Sequence, residues 1–321
     1  MKNVISANTD AGVIIDGAGT SGNLIQGNFI GSDSTGLQAP VVFGEFSSSP
    51  VNQGRGVVLQ NAVAWNTIGG TPSRLGSGPA NLIAFNGGDG VLVYDTATHN
   101  PITANSIHDN SGLGINLQPV DELDSAVTPN HPGGGTTGPN ELLNFPIITN
   151  VTYLPYNSVI AGAITNGRPN QNFYVYVNYN PTNDPSGNGQ GRYFAGRSAV
   201  LTDASGNAPF SVSAPGYLAA NSLSATATSF NGAIAGSTSE FGPDFSAPVI
   251  PVLITNVFQS GTSLSLAFQT HPGQAYSIQT NSDLTTTNWG LYLNTTGDGT
   301  IQTFLTPDVA LPQLYFRVVE P

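Results

Sequence analysis

A short asparagine-led repeat runs through the first 120 residues, and no other feature constrains the fold of this chain as tightly. Each copy opens with a six-residue segment that has asparagine first and isoleucine third. A glycine and a mostly apolar triplet follow, and then comes a shorter Asn-x-Ile element. The opening segments are 3–8, 28–33, 81–86 and 105–110, the glycine-led segments are 12–15, 56–59, 90–93 and 114–117, and the shorter elements are 23–25, 66–68 and 100–102. Three short strands repeated in this way predict a solenoid of stacked coils, where a coil is one turn of the repeat.

The repeat also predicts which residues lie above one another. The coils span 3–27, 28–80, 81–104 and 105 to about 120, and the second is long because of insertions at about 34–53 and 71–80. Equivalent residues of neighbouring coils should stack at about 4.8 Å, the strand spacing. We expect three inward-facing ladders, a ladder being one set of equivalent residues: Val13, Val57, Val91 and Ile115; Ile5, Ile30, Ile83 and Ile107; Ile25, Ile68 and Ile102. A fourth ladder, at a bend, would consist of Asn23, Asn66 and Asn100, whose amides can bond from coil to coil.

The remainder of the chain has the pattern of short strands separated by turns. Residues 121–144 are loop-like, and alternating apolar segments then continue from 145 to 245, which predicts a β-sandwich. A Gly-Pro-rich linker near 242–248 precedes a second, smaller set of strands at 252–321. The sequence therefore predicts an all-β chain with a short parallel β-helix of about four coils in 1–120, a connecting loop at 121–144 and two β-sandwich domains.

Composition excludes several classes of function. The net charge is −12, and the seven Lys and Arg residues form no cluster, so nucleic acid is not an expected partner. The chain has no cysteine, which excludes disulfides, thiolate metal sites and a cysteine nucleophile. No apolar run approaches ~18 residues, so we expect no membrane span. Because the chain starts inside a repeat, we expect either a piece of a longer exported protein or self-association through the open N-terminal coil.

Several segments resemble known proteins. The repeat at 3–15 and 22–31 resembles the right-handed parallel β-helix repeat proteins of exported bacterial type. The segment 138–146 is similar to the one that joins such helices to an Ig-like sandwich, and the tail resembles C-terminal β-sandwich modules of multidomain exported proteins. The resemblance implies a right-handed helix, an Ig-like second domain and an extracellular or cell-surface location. It specifies the activity poorly, because this fold supports many functions.

The connecting loop contains the candidates for a metal site. Related linkers carry several aspartates that suggest calcium, but residues 133–138 of this chain contain no acid. Asp121, Glu122 and Asp124 remain as candidate calcium ligands. Calcium requires six to eight oxygen ligands, so a solvated loop is the alternative interpretation. Otherwise no cofactor is expected.

The predicted register allows a search for catalytic groups. Proteins with this fold that cleave polysaccharides do so in a groove along one face, and hydrolysis needs two carboxylates roughly 5–10 Å apart. The register groups Asp33 with Asn8, Asn86 and Asn110, and no two carboxylates fall in adjacent positions of neighbouring coils. His108 and Asp109 should point to opposite faces unless they lie at a bend. The individual catalytic candidates are Asp33, Asp95, Asp109, His108 and Arg55.

Two functions remain open from the sequence. The first is a non-catalytic secreted or cell-surface scaffold, adhesin-like and carbohydrate-binding, whose partner is a polysaccharide or cell-surface glycan. The many Asn, Ser, Thr and Tyr side chains suit hydrogen bonding to sugars. The alternative is a polysaccharide-degrading enzyme, either a glycoside hydrolase or a polysaccharide lyase, that uses the β-helix groove beside the insertions.

Overall fold

The computed structural model describes residues 2–40, 52–70, 80–121, 127–154, 157–216, 218, 221–248, 252–261, 263–306 and 313–320. The first eleven strands are β1 (Val4–Ile5), β2 (Val13–Asp16), β3 (Leu24–Ile25), β4 (Phe29–Ile30), β5 (Val57–Gln60), β6 (Thr67–Gly69), β7 (Leu82–Ala84), β8 (Val91–Tyr94), β9 (Ile102–Thr103), β10 (Ser106–His108) and β11 (Ile115–Gln118). A single 3₁₀ turn follows among the described residues, at Pro139–Leu142.

The later strands are longer. They are β12 (Ile147–Tyr153), β13 (Asn157–Ile164), β14 (Asn172–Asn180), β15 (Tyr193–Leu201), β16 (Ala208–Pro215), β17 (Ser222–Asn231), β18 (Ile234–Thr238), β19 (Phe245–Ser246), β20 (Ile254–Ser260), β21 (Ser263–Gln269), β22 (Ala275–Asn281), β23 (Gly290–Thr296), β24 (Ile301–Leu305) and β25 (Tyr315–Val319). No helix in the described part of the chain is long and apolar enough to cross a membrane.

The N-terminal strands form three parallel sheets, which together make the predicted β-helix. Their orders are β1-β4-β7-β10, β2-β5-β8-β11 and β3-β6-β9. The register agrees with the repeat, because Val57 pairs with both Val13 and Val91, and Ile30 pairs with Ile83. Val57 and Val91 are both fully buried. The three inward ladders are therefore confirmed, and together they form the core of the coils.

Asparagine side chains stack at the bends of the coils. The Asn23 amide donates to the Oδ1 of Asn66 at 2.9 Å, and the Asn66 amide to the Oδ1 of Asn100 at 3.2 Å, which confirms the predicted ladder. Two more ladders run beside it. They are Asn3, Asn28, Asn81 and Asn105, and Asn8, Asn52, Asn86 and Asn110. After the first coil, the Oδ1 of each ladder asparagine accepts from the coil before it, so the buried side-chain oxygens at the bends have partners.

The register prediction was wrong at one position of the last of these ladders. Asn52 stands beside Asn8 and Asn86, where the sequence placed Asp33. Asp33 instead accepts bonds from Thr35 and from the Gly36 N–H within its own turn. Asn52, and not Asp33, therefore takes the ladder position of the second coil, and spacing alone does not predict which residue beyond an insertion does so.

The first coil is more exposed than its successors. Its outward residues Val4, Ile14 and Leu24 are 47%, 49% and 55% exposed. Self-association through this coil stays a prediction.

Residues 145–247 form antiparallel sheets with the alternation expected of a sandwich. One sheet has the order β12-β13-β16, and the other has β15-β14-β17-β18 with β19 beside β17. Strand β16 alternates strictly between buried and exposed residues. By contact density, residues 1–150, 160–213 and 220–247 form one compact unit, and 151–159, 214–219 and 248–321 form a second.

Within the first unit, side chains from beyond residue 120 close the last coil. Phe241 packs into the core of the coils. Two backbone N–H groups at this end of the coils also find partners there. The Leu117 N–H donates to the Glu240 carboxylate at 2.8 Å, and the Ile102 N–H donates to the Thr238 hydroxyl at 2.9 Å. Asn140 accepts from the Asn100 N–H and extends the asparagine ladder. A terminal coil would otherwise expose unpaired backbone groups and apolar surface.

The second unit contains two three-stranded antiparallel sheets, β20-β21-β24 and β23-β22-β25. Its core is small and consists of Leu266, Phe268, Tyr276 and Ile278, with partly buried apolar neighbours around them.

Candidate functional site

A cleft of about 560 Å³ lies between the bend at the end of β10 and the loop that joins β14 to β15. One wall is residues 108–111, and the other is 180–185 with Gln190 and Arg192. Both walls belong to the first compact unit. Most of the residues that line the cleft have polar or charged side chains.

Gln190 fixes the β14–β15 loop to the last coil. Its Oε1 accepts from both the backbone N–H and the amide of Asn110, at 3.2 and 3.0 Å. Its amide donates back to the Asn110 carbonyl oxygen at 3.0 Å. Gln190 therefore continues the ladder of Asn8, Asn52, Asn86 and Asn110. Gly191 pairs with Ile107 directly beneath it, so the loop is anchored along the edge of β10.

Asp109 lies between two basic side chains at the mouth of this cleft. Its carboxylate contacts Nδ1 of His108 at 3.0 Å and accepts a short hydrogen bond from Arg192. The sequence predicted opposite faces for His108 and Asp109 unless they lie at a bend. Asp109 does lie at a bend, with a φ of 54°, and this turns its carboxylate towards the neighbouring ring. His108 is buried in the coil, whereas Asp109 is exposed in the cleft.

A second carboxylate, Asp184, lines the same cleft. It accepts from the Gln190 amide at 2.7 Å and from the backbone and hydroxyl of Ser186. Behind it, Asp244 accepts from the Asp184 N–H at 2.6 Å. Burial raises the pKa of Asp244, and the hydroxyl of Ser222 partly opposes that shift. The cleft thus contains two carboxylates that are both engaged in hydrogen bonds.

The other catalytic candidates lie away from the cleft lining. The Thr35 hydroxyl holds the pKa of Asp33 below its ordinary value, and this residue stabilises a turn. Asp95 lies at a bend of the third coil and accepts from Thr96. Arg55 lies 3.7 Å from the buried carboxylate of Asp89, which also accepts from the Leu113 N–H. A catalytic role for Asp33, Asp95 or Arg55 stays a prediction.

Of the three candidate calcium ligands, only Asp121 can be placed. It is exposed at the end of the last coil, whereas Glu122 and Asp124 lie outside the described residues. Across the described ranges, no three His, Cys, Asp or Glu side chains are grouped to hold a metal. The calcium site stays a prediction.

Sequence reasoning missed Asp184, Gln190 and Arg192 as residues of the site. The loop 184–191 is rich in glycine and contains none of the asparagine-led six-residue segments of the coils. Gln190 lies 80 residues beyond Asn110, so the spacing of the repeat does not predict that it continues the asparagine ladder.

The buried imidazole of His108 should make the stability of the coils depend on pH. Burial lowers its pKa from 6.5, although the bond to Asp109 opposes the shift. The unfolded chain accepts a proton near pH 6.5, whereas the folded chain resists it. Stability is therefore complete above that pH and falls as the pH drops towards the folded-state pKa. Urea unfolding, followed by Trp65 fluorescence in a Trp289→Phe background, should show this decline between pH 7 and 5.

His108→Gln should flatten that pH dependence. The matched control is His271→Gln, because burial also lowers the pKa of His271, which lies in the second unit. An unchanged slope in His108→Gln would contradict the assignment.

No protein-family model matches this chain, and no curated protein is significantly similar to it.

Proposed function

We propose that this protein is a non-catalytic scaffold of the exported β-helix type and that its polar cleft binds a neutral glycan. The proposal rests on one observation, which is that the charged side chains lining the cleft are already paired or hydrogen-bonded. Asp109 is paired with Arg192 and His108, and Asp184 is bonded to Gln190 and Ser186. A ligand of either charge would have to break these pairs. Neutral hydroxyl groups can hydrogen-bond to them as they stand.

The lining of the cleft suits sugar hydroxyls, which both donate and accept hydrogen bonds. Ser111, Thr182 and Asn183 are exposed on its walls, and each offers a hydroxyl or an amide. Binding sites gain affinity when their groups are held in place before the ligand arrives. Here the walls are tied together by Gln190 and by the short contact between Arg192 and Asp109.

A cell-surface or extracellular location is part of the same proposal. Buried amide ladders hold successive coils together and make the β-helix a firm support for a binding surface. Charged residues make up 8% of the chain, so a neutral ligand suits the surface as a whole. A rigid β-helix that carries sandwich modules is an appropriate support for such a binding surface.

Calorimetric titration with a panel of neutral oligosaccharides tests the proposal. Thr182→Ala/Asn183→Ala removes two polar groups from the cleft and should weaken binding by about 10-fold, which corresponds to about 1.4 kcal/mol. Thr136→Ala/Thr137→Ala removes two exposed hydroxyls elsewhere and should leave affinity unchanged. Equal affinities for the two double variants, or no binding of any glycan, would contradict the proposal.

The second candidate is a polysaccharide-degrading enzyme, and one specific observation favours it. Asp109 and Asp184 line the same cleft, and glycoside hydrolysis uses two carboxylates across one bond. The same glycan panel should be assayed for new reducing ends and for unsaturated products. Turnover that is abolished in Asp184→Asn but retained in Asp95→Asn would replace the scaffold proposal with the enzyme.

A further inference from the structure

One bend of the coils carries an aromatic pair that no part of the cleft explains. Gly22, Trp65 and His99 occupy equivalent positions in three successive coils. The Gly22 N–H donates to the Trp65 carbonyl at 3.0 Å, and the Trp65 N–H donates to that of His99 at 3.1 Å. All three have positive φ values, 73°, 61° and 55°. They lie at the bend between the sheets of β5 and β6, and none of them lines the cleft.

The indole of Trp65 has one covered face and one open face. It stacks on the imidazole of His99 with ring centres 4.5 Å apart and an interplanar angle of 24°. On its other side the equivalent residue is Gly22, which has no side chain. A Cβ built on Gly22 would have no atom within 4 Å. Trp65 is accordingly 48% exposed, which agrees with one covered face.

The covered face rests on a fixed support. The His99 ring lies 3.6 Å from Glu141, and Glu141 pairs with Arg168 at 3.1 Å. The backbone N–H of His99 donates to the Ser237 hydroxyl, and that hydroxyl donates to Glu141. The imidazole is therefore held by both its backbone and its ring, and it fixes the plane of the indole above it.

Trp65 occupies a backbone conformation that favours other residues. A large side chain at positive φ is uncommon, and glycine or asparagine takes such a position with less strain. Residues held in such conformations occur preferentially at ligand sites.

We propose that the open face of Trp65 is a stacking site for a pyranose ring of a neutral glycan. The face of an aromatic ring carries partial negative charge and attracts the polarised C–H groups on one side of a sugar ring. Thr20 and Asn61 lie at the same bend, and the Asn61 amide bonds the Asp16 carboxylate at 2.7 Å. Both side chains are polar and belong to the same bend as Trp65, where sugar hydroxyls could bond to them.

Other ligands that stack on tryptophan suit this site less well. Sites for quaternary ammonium groups enclose the cation with several aromatic walls, whereas Trp65 offers one open face. Nucleotides carry phosphate, which the net charge of −12 disfavours. The site shares no residue with the cleft, so it does not depend on the function proposed for the cleft.

Tryptophan fluorescence tests the site directly, because the chain has two tryptophans, Trp65 and Trp289. In Trp289→Phe, titration with cello-, xylo-, malto- and chito-oligosaccharides should give a saturable change in the Trp65 emission with at least one of them. By calorimetric titration, which does not need the fluorophore, Trp65→Ala should weaken binding of that sugar by about 10-fold or more, the scale expected when a central tryptophan is truncated. Trp289→Ala is the matched control and should leave the affinity unchanged.

Two further variants separate stacking from loss of fold and from the cleft. Gly22→Asn keeps a residue that tolerates positive φ and places an amide beside the open indole face, so binding should weaken while the urea midpoint holds. Thr182→Ala/Asn183→Ala should leave the Trp65 signal intact, even if the cleft binds nothing. The proposal is overturned if no sugar changes the Trp65 emission, or if Gly22→Asn and Trp65→Ala both bind the sugar like the parent.

Discussion

Replacing Asn86 with alanine is expected to destabilise the coils by about 3 kcal/mol, because several buried polar groups lose their partners at once. The Asn86 amide donates to Asn110 at 2.8 Å and to the Ile30 carbonyl at 3.2 Å. Its oxygen accepts from the Asn52 amide at 3.0 Å. Asn86 is 1% exposed, so water cannot replace these bonds without opening the coil. Urea unfolding followed by Trp65 fluorescence in Trp289→Phe measures the loss.

The control is Asn8→Ala, which removes the same side chain from the exposed end of the same ladder. The Asn8 amide donates to Asn52 at 2.8 Å, and solvent reaches it; the backbone N–H of Asn8, which donates to the same oxygen at 3.2 Å, is kept in the variant. We expect a loss of about 1 kcal/mol or less, because water satisfies the group that remains. Equal losses for Asn8→Ala and Asn86→Ala would show that the ladder does not stabilise the coils through burial.

Gly90→Ala is expected to have an effect of similar size for a different reason, namely lack of space. A Cβ on Gly90 would lie 2.6 Å from the Gly114 carbonyl oxygen and 2.6 Å from the Ile107 side chain. Backbone oxygen atoms of the neighbouring coil cannot move without disturbing the sheet. Overpacking of this kind typically costs about 1–3 kcal/mol, and here the clash with backbone places it at the upper end.

Gly88→Ala provides a close control two residues away. A Cβ on Gly88 would meet no atom closer than 3.4 Å, which is ordinary contact, and Gly88 has no positive φ. The free energy of unfolding of Gly88→Ala should stay within about 0.5 kcal/mol of that of the parent. If Gly90→Ala is tolerated as well as Gly88→Ala, then close approach of the coils does not explain the glycine that precedes each valine of the repeat.

The sequence alone determined the coil architecture because a stacked coil repeats its environment. Val57 and Val91 each face the same interior, and Asn66 and Asn100 each occupy the same bend, so similar residues recur at similar spacing. Selection of the same side chain at each turn leaves a pattern that can be read without coordinates. The antiparallel character of the later strands followed similarly from alternation, as in β16.

The residue that takes a ladder position next to an insertion could not be predicted from the repeat in this way. Asp33 ends its six-residue segment as Asn86 does, yet Asn52 fills the ladder. A loop of any length can leave a coil and return, and closing a longer loop adds little free energy. The spacing therefore carries no information about the residue at which the chain re-enters.

Only the tertiary structure determined the cleft. Gln190 completes a ladder that begins at Asn8, Arg192 reaches Asp109, and Asp184 joins the same wall. These residues come from a loop that obeys no repeat, and they meet the coil because its last edge has unpaired amides and carbonyls to satisfy. The bend at Asp109 that brings it to His108 is likewise set by stacking on the coil before it. The spacing of the repeat therefore predicts the buried residues of the coils. The backbone groups of the last coil are instead paired by a distant segment, and the repeat does not say which one.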